Sequence, residues 1–168
     1  MAKGAGYTRA SKWRINTPTS FVQLYYKNGV RQEYPDLTEK AKELVKKEKN
    51  RIAKAMYAKL MSESTSQVID NGKEISIHYT SKGLKHFAND AMIKLSGKYF
   101  SSDSMMNINS ILARSTYVPT THNLTHPRTD GREVWFSYKD ADSRDVYLKV
   151  SWNNKMKIYE LYSVVDKL

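Results

Sequence analysis

Cysteine is missing from the 168-residue chain. That absence excludes a disulfide framework and a cysteine-built zinc site. It points to a reducing cytoplasm, or to a particle assembled there. Also missing is any apolar run near the ~20 residues that cross a bilayer, so no membrane partner is expected. The mean hydropathy of -0.67 fits a soluble protein. The opening stretch "MAKGAGYTRASKWR" is basic but has no apolar segment behind it, so no signal peptide is expected. Glycine is sparse, at seven residues, and no Gly-rich turn joins a strand to a helix as a phosphate-cradling loop requires. A nucleophile elbow and a paired-histidine metalloprotease motif are also absent.

What is present is enough apolar matter for a core. Forty per cent of the chain is hydrophobic, and it carries 12 Tyr. The length fits one domain, or one domain with an extension. The net charge of +11 is unevenly spread: residues 1–60 hold 14 Lys+Arg against 5 Asp+Glu, and residues 61–168 hold 14 against 12. A basic first third suggests an anionic partner, whether nucleic acid, an acidic protein or a membrane surface, although a solvated helix face explains some of these lysines.

Residues 1–35 read as a basic arm followed by a short hairpin, with "FVQLYY" pairing "VRQEY" across Asn28-Gly29. Residues 36–62 read as an amphipathic basic helix. Asp36 would cap it, Glu39 would complete a capping box, and Leu37, Ala41, Leu44, Val45, Ile52, Ala55, Met56 and Leu60 would face inward. Lys46, Lys47, Arg51 and Lys54 on its other faces are candidates for phosphate contact, as are Lys82 and Lys85 further on.

Residues 63–168 read as an α+β unit. "SQVIDNGKEISIHYTS" predicts a hairpin around Asn71-Gly72. Thr80 or Ser81 would cap a helix over "SKGLKHFANDAMIKL" that ends at Gly97, and a third, short helix would follow from Ser102 or Asp103. After a long polar loop, "REVWFSYKD", "RDVYLKVSWN" and "KMKIYELYSVV" alternate with period two. In the last run Ile158, Glu160, Tyr162 and Val164 fall on one face, and Tyr159, Leu161, Ser163 and Val165 on the other. The expected architecture is helices packed against a C-terminal four-stranded antiparallel meander.

Four histidines stand out: His78, His86, His122 and His126. His78 falls on the outer phase of its strand. His122 and His126 are four apart, but Pro119, Pro127 and several Thr argue for a loop, and no acidic third ligand is near. No metal site and no cofactor are expected. Histidine exchanges protons near neutral pH, and RNA cleavage needs no metal when a base, an acid and a phosphate-steadying cation are supplied. His86, on the first turns of its helix beside Lys85, suits either that chemistry or simple packing.

Three pieces carry a resemblance: "ISIHYTSKGLKHF", "INSILARSTYV" with the His-containing loop after it, and "VWFSYKDADSRDVYLKVSWNNKMKIYELYSVV". Over residues 75–168 the chain resembles the phage-borne branch of the barnase, EndoU, colicin and RelE-like nucleases. The resemblance implies helices on a four-stranded antiparallel sheet with RNA across its open face. It implies His86 as the helix histidine, Lys149 as the meander lysine and Tyr162 and Ser163 as last-strand hydroxyls. His122 or His126 would be the second proton-transfer group. Asn89 and Asp90 stand one turn on, where the family often carries a second histidine. Implied partners are RNA or DNA, phage virion proteins, or an immunity or inhibitor protein. The implied location is the host cytoplasm or a phage virion. The other expectation is a non-catalytic virion-associated or cargo protein whose basic arm holds nucleic acid or neighbouring capsid or portal subunits.

Overall fold

The helical spacing of Val45, Ile52, Met56 and Leu60 forms one long helix, α1 (Glu39–Leu60), in the computed structural model, which describes residues 21–119 and 133–168. Its cap is Thr38, whose hydroxyl accepts from Ala41 N at 3.1 Å. The expected cap, Asp36, instead closes a 3-10 turn, Tyr34–Asp36. Pro35 suits that turn because its φ is fixed, and Leu37 leaves the turn extended and buried. Thr38 is thus the last extended residue before the helix. Leu44, expected inward, is exposed, and Ala53 is buried in the stripe. At 3.6 residues per turn Leu44 lies a quarter-turn off the line through Val45 and Ile52.

Upstream, "FVQLYY" is a strand only at its end. Val22–Tyr25 form a 3-10 turn, and Tyr26–Lys27 (β1) pairs antiparallel with Val30–Arg31 (β2). Asn28 and Gly29, both at positive φ, make the tight turn. Phe21 and Tyr25 are fully buried, and the Tyr25 hydroxyl donates to the Met92 carbonyl at 2.5 Å. Gly97, at φ +64°, lies under them: a Cβ there would come within 2.7 Å of the Tyr25 ring.

The second hairpin is β3 (Ser64–Ile69) and β4 (Lys73–His78), joined by a 3-10 turn at Asp70–Gly72. Helix α2 (Ser81–Asn89) is capped by Thr80, which accepts from Gly83 N. It does not run on to Leu95 as one α-helix, because a π-helical turn, Asp90–Lys94, follows. Two short helices, α3 (Ser102–Met106) and α4 (Ile108–Arg114), replace the single one expected. Ser101 and Ser104 form the capping box of α3.

The remaining strands are β5 (Thr116–Val118), β6 (Glu133–Lys139), β7 (Asp145–Asn153) and β8 (Ile158–Val165). The fold is α+β, with a small two-stranded sheet and a mixed six-stranded sheet in the order β3-β4-β8-β7-β6-β5. The sheet is wider than four strands because β4 joins it by parallel pairing, Ile77 to Tyr159 and His78 to Glu160. Buried side chains of residues 21–62 and of 63–168 belong to one core cluster. No helix among the described residues is long and apolar enough to cross a membrane.

Lys149 pairs with Ser163, but Val150 pairs with Leu161, so Tyr162 is an extra residue on β8. A one-residue bulge reverses the strand's alternation. Val164 and Leu161 therefore both face the core with Leu148 and Val150, whereas the simple period had put them on opposite faces.

Candidate functional site

The face of the sheet turned away from Leu148 and Val150 carries two cross-strand rows. Trp135, Lys149 and Ser163 lie side by side on β6, β7 and β8. Glu133, Ser151 and Glu160 form the next row, and His78 of β4 extends it opposite Glu160. Neighbouring strands are about 4.8 Å apart, so each row is a short ladder of functional groups. Apart from His78, the rows line a cleft of 760 Å³, and α2 with its π turn forms one rim through Lys82, His86, Asp90 and Lys94.

Gly83 brings that rim close. A Cβ on it would sit 2.5 Å from the Leu161 carbonyl oxygen, so only glycine lets α2 lie this tightly on β8. His86, three residues on, then meets the bulge. Its ring stacks on Tyr162 with centroids 4.1 Å apart and 23° between planes. Its Nδ1 lies 3.0 Å from the Tyr162 carbonyl oxygen and 3.2 Å from Asp90 Oδ2. The Ser163 hydroxyl donates to the same Asp90 oxygen. The other, Oδ1, is buried without a hydrogen-bond partner, and the nearest cation, Lys94 Nζ, is 3.6 Å away, beyond hydrogen-bond reach.

Across the cleft, Lys149 Nζ is 3.2 Å from Glu133 Oε2 and lies between two rings, 6.0 Å from the Trp135 centroid and 5.6 Å from that of Tyr162. Glu160 accepts from the Thr80 hydroxyl and, at 3.1 Å, from Asn153 Nδ2. The Ser151 hydroxyl is buried without a partner. The cleft lining is thus mixed in charge, with Lys82, Lys94 and Lys149 among Asp90, Glu133, Glu160 and Asp166.

Of the candidate site residues, the fold gathers His86, Lys149, Tyr162 and Ser163 around one cleft. His122 and His126 lie outside the described residues. Of the candidate phosphate contacts, Lys82 lines the cleft. Lys46, Lys47 and Lys54 are exposed along α1, Lys85 is exposed on α2, and Arg51 is held by Glu48 at 2.5 and 2.9 Å. Among the described residues no group of three His, Asp or Glu is placed to hold a metal ion.

Sequence reasoning passed over Asp90, Glu133, Trp135 and Glu160. Asp90 had a legible signal, since a carboxylate four residues after a helical histidine lies on the same face. The other three become neighbours of Lys149, Ser151 and His78 only once strand register is known. Comparison of the chain with models of protein families, with curated proteins and with solved structures gives no match.

Proposed function

We propose that the protein is a metal-independent, ribonuclease-like phage protein that acts on RNA by acid–base chemistry at the His86/Lys149 cleft. One observation carries this reading. An imidazole from α2 and an ammonium and two hydroxyl residues from β7 and β8 line one open cleft. These are the groups that transesterification at a 2′-hydroxyl uses: a proton-transfer group, a cation for the crowded phosphate and hydroxyl donors. Trp135 offers a ring on which an unstacked base can lie. The antiparallel pairing of β5 through β8 supports the finer reading of this part as a meander of the barnase, EndoU, colicin and RelE-like kind. The exposed lysines of α1 would add sequence-independent phosphate affinity.

A second reading has its own observation. Lys149 is already paired with Glu133, and Glu160 and Asp166 line the same cleft, a poor setting for a polyanion. It favours a non-catalytic virion-associated or cargo protein that engages DNA or neighbouring subunits through its basic first third.

Incubating the full chain with RNA in EDTA, beside His86→Ala and Lys149→Ala, separates the two. Cleavage that persists in EDTA and falls roughly 100- to 10,000-fold in His86→Ala fits proton transfer. RNA left intact by high concentrations of wild type rules the ribonuclease reading out.

A further inference from the structure

We infer that Asp90 is a positioning residue for His86: its buried carboxylate, tied to Ser163, holds the imidazole with a proton on Nδ1 and leaves Nε2 for proton transfer. The inference rests on the acid–base reading of His86 given above. The surroundings of Nδ1 assign the tautomer. Nδ1 makes its hydrogen bond to the Tyr162 carbonyl at 3.0 Å, and Asp90 Oδ2 lies beside it at 3.2 Å, within ion-pair distance. A carbonyl and a carboxylate both accept, so Nδ1 must donate. The nitrogen that remains, Nε2, has no hydrogen-bond partner among the described residues, and the side chain is 40% exposed at the cleft. In a neutral ring held this way the Nε2 lone pair is the available base, and in the imidazolium the Nε2 proton is the available acid.

Packing alone gives no reason for the carboxylate. Asp90 is 2% exposed, yet one of its oxygens makes no hydrogen bond. Leaving a buried acceptor unpaired costs stability. Lys94, at 3.6 Å, is 68% exposed and well screened by solvent. The backbone is also shaped around this residue. The π turn begins at Asp90, with Leu95 N donating to the Asp90 carbonyl at 2.9 Å, and single π turns concentrate at functional sites. Just before it, Lys49 of α1 donates to Asn89 Oδ1 at 3.1 Å, which pins the end of α2.

The test uses the full chain labelled with 15N-histidine, with the His86 signal assigned from His86→Ala. Two-bond 1H–15N correlation spectra report which ring nitrogen carries the proton. Wild type should show neutral His86 protonated on Nδ1. In Asp90→Asn the amide can itself donate to Nδ1, so part of the population should move to the Nε2-protonated form. RNA cleavage by that variant should lose roughly 10- to 100-fold in kcat, with KM changed by less than about threefold. Ser163→Ala keeps the carboxylate, so it should keep the Nδ1 proton. Neutral wild-type His86 protonated on Nε2 overturns the inference, even if Asp90→Asn does not fold. So does an Asp90→Asn variant with unchanged tautomer and kcat. An inactive wild type whose tautomer still shifts in Asp90→Asn keeps the role of Asp90 and overturns the ribonuclease reading instead.

Discussion

Two buried aspartates divide the molecule. Asp140, at the turn between β6 and β7, has both oxygens fully engaged. Oδ1 accepts from Asp142 N at 3.0 Å and Arg144 N at 2.8 Å, and Oδ2 accepts from Arg144 Nε at 2.8 Å. Asp90, at the end of α2, has one oxygen serving Ser163 and His86 and the other without a hydrogen bond. Both carboxylates are nearly inaccessible. At Asp140 the surroundings are spent on closing a hairpin. At Asp90 the satisfaction is incomplete, and the partner it does hold is an exposed, titratable ring on a cleft. Burial by itself says little about a carboxylate's task. How its two oxygens are used says much more.

The largest expected contrast comes from removing Asp140. Asp140→Ala leaves Arg144 only Asp142 and the Lys98 carbonyl and frees two backbone N–H groups, at a cost of about 2–3 kcal/mol. Urea unfolding should register that loss, while RNA cleavage per folded molecule stays near wild type. A large drop in cleavage without loss of stability would erase the distinction between the two aspartates.

Next in size is Gly83→Ala. The added methyl meets the Leu161 backbone carbonyl, which has no rotamer to retreat into. Overpacking of this kind costs about 1–3 kcal/mol. It should also lift α2 from β8 and part His86 from Tyr162, so cleavage should fall even well below the melting temperature. Retained activity with unchanged stability would mean that the close approach is not needed.

The smallest effect is on pH. Burial pushes the Asp140 carboxyl up, but the Arg144 side chain and the backbone N–H groups of Arg144 and Asp142 outweigh it, so it lies below its usual value. Its contribution is therefore full above the unfolded carboxyl range, about 4, and is lost as pH falls through the lowered folded value. The stability gap between wild type and Asp140→Asn should shrink as pH falls below about 4. The opposite sign applies to Tyr25 and Tyr79, whose phenols are pushed up, mainly by burial. They favour the folded state below pH 10 and cost it stability above, as the unfolded chain ionises first.

Legibility from sequence followed the range of the interaction. The helical stripe of α1, the Asn28-Gly29 and Asn71-Gly72 turns and the Thr80 cap are short-range features, and each is visible in its own stretch of chain. Thr38 displaced Asp36 as a cap because Pro35 had already committed the preceding turn. The parallel pairing of β4 with β8 joins segments some 80 residues apart and leaves no local mark. The bulge at Tyr162 is the sharpest case. The run from Ile158 to Val165 alternates cleanly on paper, and only cross-strand register shows that one residue is extra. That extra residue brings the Tyr162 ring to His86. The gathering of His86, Lys149, Tyr162 and Ser163 is thus a product of register and of Gly83, neither of which composition or periodicity reveals.

The claim that this cleft moves protons on RNA is met most directly by the ends it leaves. A defined RNA oligonucleotide, incubated with the full chain in EDTA, should yield 2′,3′-cyclic phosphate and 5′-hydroxyl termini, and His86→Ala should leave it whole. Uncut RNA, or fragments ending in 5′-phosphate, would contradict the account.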